Sequence, residues 1–276
     1  FEKLNPTISS PVTIPAYGEM MTARWGYEAL AVHQFINNRY ERQFYIYDKA
    51  MSRAKFKKDY WNAKVRGNLD KILNELNRGT RGSDFDDNLM LVQNEIRKEI
   101  MLMPELSFDH IEDLIPERIT PDIIKSALTY LEQVRRYYVA YYNNASNRKD
   151  AIITRYEQED KEAFQKLRDD HYNLALEEFV LAKNETQKII EFREEIVQKL
   201  DPIYMDPSHR FIKAHFYAPV KNIFGLQVST FIINIAVLWL IVILLYAILY
   251  FRLLKRLLDS GEMILGRRQK NNDILG

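Results

Sequence analysis

Between Lys221 and Arg252 the chain contains no Asp, Glu, Lys, Arg or His, so residues 222–251 are thirty consecutive uncharged positions, most of them large and apolar. At about 1.5 Å of rise per residue such a helix reaches roughly 45 Å, and a hydrocarbon core needs only about twenty residues. A buried helix of a soluble core is rarely so long or apolar on every side. The pattern therefore predicts one transmembrane helix over 222–251. Within it Gln227, Thr230 and Asn234 recur at spacings of three and four, a polar stripe expected to turn towards other helices.

Upstream the pattern changes to mixed, helix-periodic segments. Residues 1–17 carry three prolines and the Ser9-Ser10 pair and read as an extended connection. From Gly18 to Asn37 the chain turns helical and is apolar on most of its circumference, with Arg24 and Glu28 one turn apart on one face. Composition leaves two readings of that helix open: an ordinary core helix, or one at or re-entering a membrane, suggested by Trp25 and Tyr27 beside small residues. Residues 1–38 thus form a connector and a re-entrant or interfacial helix.

Residues 39–220 predict a helical domain. Two helices fall between 39 and 78, Gly79-Thr80-Arg81-Gly82-Ser83 closes them, and Asp84 opens a third through Met103. Thr120 is placed to cap a helix with Pro121 at its first position. Two long helices are then expected, one repeating Ile124, Leu128, Leu131, Val134 and Tyr138, the other Tyr172, Ala175, Phe179, Ala182, Ile189 and Ile196 through Leu200. Residues 143–170 between their seams are rich in charge and read as a projecting hairpin. The fold class is accordingly all-α: an elongated helical extracytoplasmic domain followed by a single C-terminal transmembrane helix and a basic tail over 252–276.

Charge adds orientation. Six Lys and Arg lie in the twenty residues after the apolar run and three in the twenty before it, which predicts a cytoplasmic C-terminus and an extracytoplasmic 1–221 in a cell membrane. Overall the chain balances 39 basic against 38 acidic residues, so no nucleic-acid partner is indicated. Cysteine is absent, which excludes disulfides and thiolate chemistry. The five histidines, His33, His110, His171, His209 and His215, follow no metal-ligand spacing, so neither a catalytic residue nor a metal site is expected.

The run Ile14-Pro15-Ala16-Tyr17, then Arg24-Trp25-Gly26-Tyr27-Glu28-Ala29-Leu30, then His33-Gln34-Phe35, resembles the segment before the last span of ABC-2-type transporter permeases. It is most similar to ABCG-like forms, especially bacterial chains that fuse ATPase and permease. The resemblance implies a C-terminal fragment of such a permease, in which Ile14, Pro15, Arg24, Trp25, Tyr27 and Glu28 belong to a re-entrant helix. The other spans of the permease, a nucleotide-binding domain using ATP and Mg, and a dimeric assembly are implied partners, with no cofactor in this chain itself. An exporter is the function this implies, with the swollen outer loop as a gate, a lid or a docking arm for an envelope protein. The alternative is a membrane-anchored helical sensor or adaptor that binds a ligand or an envelope protein.

Overall fold

The computed structural model describes residues 12–252 apart from positions 208 and 210. The start of the connector and the basic tail from 253 onward lie outside the described residues. The chain is mostly helical, but two small antiparallel sheets correct the all-α expectation.

A four-residue turn, α1 (Ala16–Glu19), and the sixteen-residue helix α2 (Thr22–Asn37) open the structure, separated at Met20 and Met21. Asn38 ends α2, and its Oδ1 accepts the backbone N–H groups of Tyr40 and Glu41 at 2.9 and 2.7 Å, which fixes the next single turn, Glu41–Gln43. There α3 (Tyr45–Lys55) begins. It runs through a π-helical stretch, Phe56–Trp61, into α4 (Asn62–Arg78), so the two form one continuous rod. Gly79 stops that rod at φ +65°, where a side chain would be strained. The Gly79 and Thr80 N–H groups bond back to Leu76 and Glu75, satisfying carbonyls the helix leaves open. α5 (Phe85–Leu102) returns along α4.

Thr120 then caps α6 (Pro121–His171) by accepting the Ile123 N–H at 3.3 Å. α6 packs along both α3 and α4 in the opposite direction. Asn62 donates to the Leu131 carbonyl at 2.8 Å near one end, and Lys149 meets Asp48 at 2.6 Å near the other. At Asp160 the backbone leaves the helix (φ −162°, ψ 94°), and Asp160 Oδ1 accepts the Ala163 N–H as a new cap. Tyr156 and Phe164 stack with ring centroids 5.3 Å apart, whereas eight residues of straight helix would separate them by about 12 Å. The helix therefore folds back on itself at Asp160, and the charges around it stand in solvent.

The second long helix expected over 172–200 is not formed. Asn173 caps only the seven-residue α7 (Leu174–Val180), and the chain then pairs β1 (Ile189–Glu191) with β2 (Ile196–Gln198). β-Branched pairs, Ile189-Ile190 and Ile196-Val197, fill the strands, and Arg193 and Glu194 take positive φ in the turn. The apolar periodicity read as a helical seam was a strand pair.

Core packing follows from these contacts. Trp61, Val65, Leu69, Ile72, Leu89, Val92, Ile96, Ile124, Leu131 and Val134 form the main core between α4, α5 and α6. Two carboxylates on α5 are buried there and satisfied. Glu95 accepts from Trp61 Nε1 (2.6 Å) and the Ile196 N–H (3.0 Å), while Glu99 accepts from Tyr138 OH (2.6 Å) and pairs with Lys57. Of the tyrosines at 137, 138, 141 and 142, only Tyr138 is buried in the core; Tyr137 and Tyr141 stack on each other at the surface.

The last pair, β3 (Val220–Ile223) and β4 (Leu226–Ser229), is joined through Phe224 and Gly225, both at positive φ, and leads into α8 (Thr230–Tyr250). The helix thus starts eight residues later than the apolar run, because residues 222–229 are spent on the hairpin. α8 is long and apolar enough to cross a membrane. Its 21 residues span about 31 Å, and its large side chains, Trp239, Leu240, Ile243, Leu245, Tyr246 and Leu249 among them, point outward.

Candidate functional site

α2 lies against α8 and runs antiparallel to it. His33 sits beside Phe231 with ring centroids 4.4 Å apart, and Gly26 faces Leu238, whose Cδ1 would be 3.9 Å from an added Cβ. At this contact four charged side chains and an amide are gathered. Arg24 Nη1 bonds Glu28 Oε2 at 2.9 Å, its Nη2 pairs with Glu19, and its Nε donates to the Gly18 carbonyl at 3.2 Å. Lys221 Nζ reaches the same Glu28 Oε2 at 2.8 Å and Asn234 Oδ1 at 2.8 Å. Asn234 Nδ2 donates to Glu28 Oε2 at 2.8 Å and to the Trp25 carbonyl at 3.1 Å.

Trp25 separates this group from its surroundings. Its ring takes the Arg24 guanidinium at 3.8 Å and the Lys221 ammonium at 4.5 Å, and its Nε1 donates to the Glu19 carbonyl at 2.8 Å. Glu28 and Asn234 are fully buried, and Lys221 and Arg24 nearly so. Two carboxylates and two cations make the cluster neutral, the condition under which charges can be held away from water. Burial pulls the Lys221 ammonium below its ordinary pKa, and the Glu28 carboxylate opposes that pull. Glu28 Oε2 receives three donors, while Glu28 Oε1, also buried, has no hydrogen-bond partner among the described residues.

The residues singled out from sequence distribute as follows. Arg24, Trp25 and Glu28 lie in the cluster. Ile14 is buried outside the cluster's hydrogen-bond network, its N–H donating to the Ala214 carbonyl at 3.2 Å, and Pro15 precedes the first turn of α1. Tyr27 is half-exposed on the other face of α2, stacked on Phe216. On α8, Thr230 is buried and donates its hydroxyl to the Ala218 carbonyl at 2.6 Å, and Asn234 joins the cluster. Gln227 does not share their face. It is an exposed residue of β4 opposite Asn222, because the helix has not yet begun there.

Lys221 was the member that the pattern did not single out. It marks the last charge before the apolar run, and strand β3 turns it back under α2. No nucleophile or paired general acid and base stands here, and among the described residues no group of three or more His, Asp or Glu is arranged to hold a metal. What the arrangement can do is lock three segments, α1–α2, β3 and α8, by one shared carboxylate. Comparison with protein families, with curated proteins and with solved structures finds no match to this chain.

Proposed function

We propose that the chain is the C-terminal part of the permease of an ATP-driven exporter of the ABC-2, ABCG-like kind. In this reading α8 is the last membrane span, α1–α2 is a re-entrant hairpin, and residues 39–220 are the large outer loop. The observation that carries it is the packing of α2, which follows α1, along α8. Gly26 meets α8 eight residues below its start, so it lies about 12 Å down the span, and the Met20-Met21 turn lies several ångströms deeper. Met20 and Met21 are both exposed, as suits a turn whose surroundings are apolar.

Two further features support a membrane setting. The exposed apolar circumference of α8 would be costly in water and is matched to a hydrocarbon layer of about 30 Å. The cluster around Glu28 joins α8 at Asn234, about one turn below its start, at a depth where a charged group can be retained only if paired. Cargo would follow a path formed with other spans and a second half, driven by ATP and Mg at a nucleotide-binding domain outside this chain.

The test is ATP turnover by the full-length parent protein in lipid vesicles, with and without residues 40–200 and with Glu28→Ala. Turnover that the deletion uncouples and the substitution lowers supports the exporter. A well-folded parent that neither turns over ATP nor retains an ATPase partner on purification sinks it and leaves the membrane-anchored sensor or adaptor.

A further inference from the structure

A separate cleft of about 330 Å³ opens at the base of the helical domain, where the turn after α2, the start of α3, the two limbs of α6, α7 and the segment after β2 converge. Tyr40, Phe44 and Tyr204 form apolar walls, and four carboxylates face it: Glu41, Asp48, Glu177 and Asp201. Three of them are engaged. Asp48 holds Lys149 at 2.6 Å, Asp201 accepts the Ser52 hydroxyl at 2.7 Å, and Glu177 takes the Tyr172 hydroxyl and Lys183 Nζ, the latter at 2.9 Å. Glu41 is different. It is only 8% exposed, yet among the described residues its carboxylate has neither an ion-pair nor a hydrogen-bond partner.

A carboxylate so largely enclosed is poorly hydrated, yet open to the cleft, and the fold fixes its backbone, since Asn38 Oδ1 accepts the Glu41 N–H at 2.7 Å. The cations of the cleft do not fill the role: Lys149 is bonded to Asp48, while Lys55 and Arg168 are exposed, Arg168 lying over the Tyr172 ring at 5.5 Å. An acceptor beside aromatic faces suits a ligand cation with N–H donors, and the volume suits a small metabolite. With Lys149 already lying over the buried Phe44 ring at 5.4 Å, we propose that this cleft binds a small molecule through a protonated amine, received by the Glu41 carboxylate between the rings of Tyr40 and Tyr204. With three of four carboxylates already committed, a metal ion would find too few ligands here.

Burial raises the Glu41 carboxyl to about 7, reinforced by Asp48 on α3 and Glu177 on α7 and opposed by Lys149 and Arg168 on α6. Amine binding therefore competes with a proton. The site stands whether or not the chain belongs to an exporter.

The experiment is calorimetric titration of the full chain in lipid nanodiscs with tyramine and with its neutral analogue 2-(4-hydroxyphenyl)ethanol. Saturable binding of tyramine that strengthens about tenfold from pH 6 to pH 8, with the alcohol bound at least tenfold more weakly, is the expected result. Glu41→Gln should weaken tyramine at least tenfold and remove the pH dependence, with unchanged circular dichroism. Arg168→Gln, which removes a like charge from the rim, should tighten it about threefold. Equal affinity for amine and alcohol, unaltered binding by Glu41→Gln, or no saturable binding of tyramine overturns the proposal.

Discussion

Glu28 and Glu41 are both buried carboxylates, but they stand in opposite relations to their surroundings. Glu28 is held by Arg24, Lys221 and Asn234, so its removal leaves two cations with Glu19 as their only counter-charge. Glu28→Leu should cost about 3–5 kcal/mol, read from thermal melting of the chain in detergent. Glu28→Gln combined with Lys221→Gln restores charge balance and should recover much of that loss. A cost below about 1 kcal/mol for Glu28→Leu would show that the cluster does not secure the contact. Glu41 has no such partners, and its raised pKa means that the folded state binds a proton more tightly than the unfolded chain. Stability is therefore lost as pH rises from about 4.5 to about 7 and stays level above. Glu41→Gln should melt higher than the parent at pH 8 and together with it near pH 4; equal melting at pH 8 would contradict the assigned environment.

Among the elements, those punctuated by local chemistry were legible in the sequence. Thr120 with Pro121, and Gly79 after an amphipathic run, mark helix ends through single backbone groups, and the structure uses both. Strands β1 and β2 were not legible, because Ile189, Ile196 and Leu200 satisfy a helical spacing as well as a strand pair, and only packing against Glu95 and the core selects the latter. The start of α8 was hidden for a related reason: the β3–β4 hairpin is uncharged from Asn222 onward and so merges with the apolar run. Phe224 in that hairpin sits at φ +48°, an uncommon conformation for a bulky side chain. Phe224→Gly should relieve the turn and stabilise the chain by about 1 kcal/mol in detergent melts. A loss instead would mean that the ring, packed on Phe211 at 4.8 Å, holds the hairpin more strongly than the turn strains it.

At the level of the whole molecule, the absence of cysteine makes single-cysteine labelling unambiguous. If the chain is oriented as the proposed exporter requires, a membrane-impermeant maleimide on intact cells should label Ser83→Cys and Glu157→Cys but not Met20→Cys, and Asn271→Cys should react only after permeabilisation. Labelling of Met20→Cys as fast as Ser83→Cys would remove α1–α2 from the membrane. The Arg24–Glu28 spacing could be read from sequence because both lie on one helix. The partners from β3 and α8 could not, since they are some two hundred residues away and meet α2 only in the folded chain. The same holds for the Glu41 cleft, which draws on five segments, none distinctive alone. The rod of α3 and α4, 34 residues from Tyr45 to Arg78, is about 50 Å long and joins α2 through the single turn at Glu41–Gln43. Pivoting at that turn, it would serve as a lever whose free arm ends at Gly79. A tilt of ten degrees at the base would carry that far end about 9 Å, so a rearrangement too small to break the Glu28 contacts becomes a displacement large enough for another molecule to register.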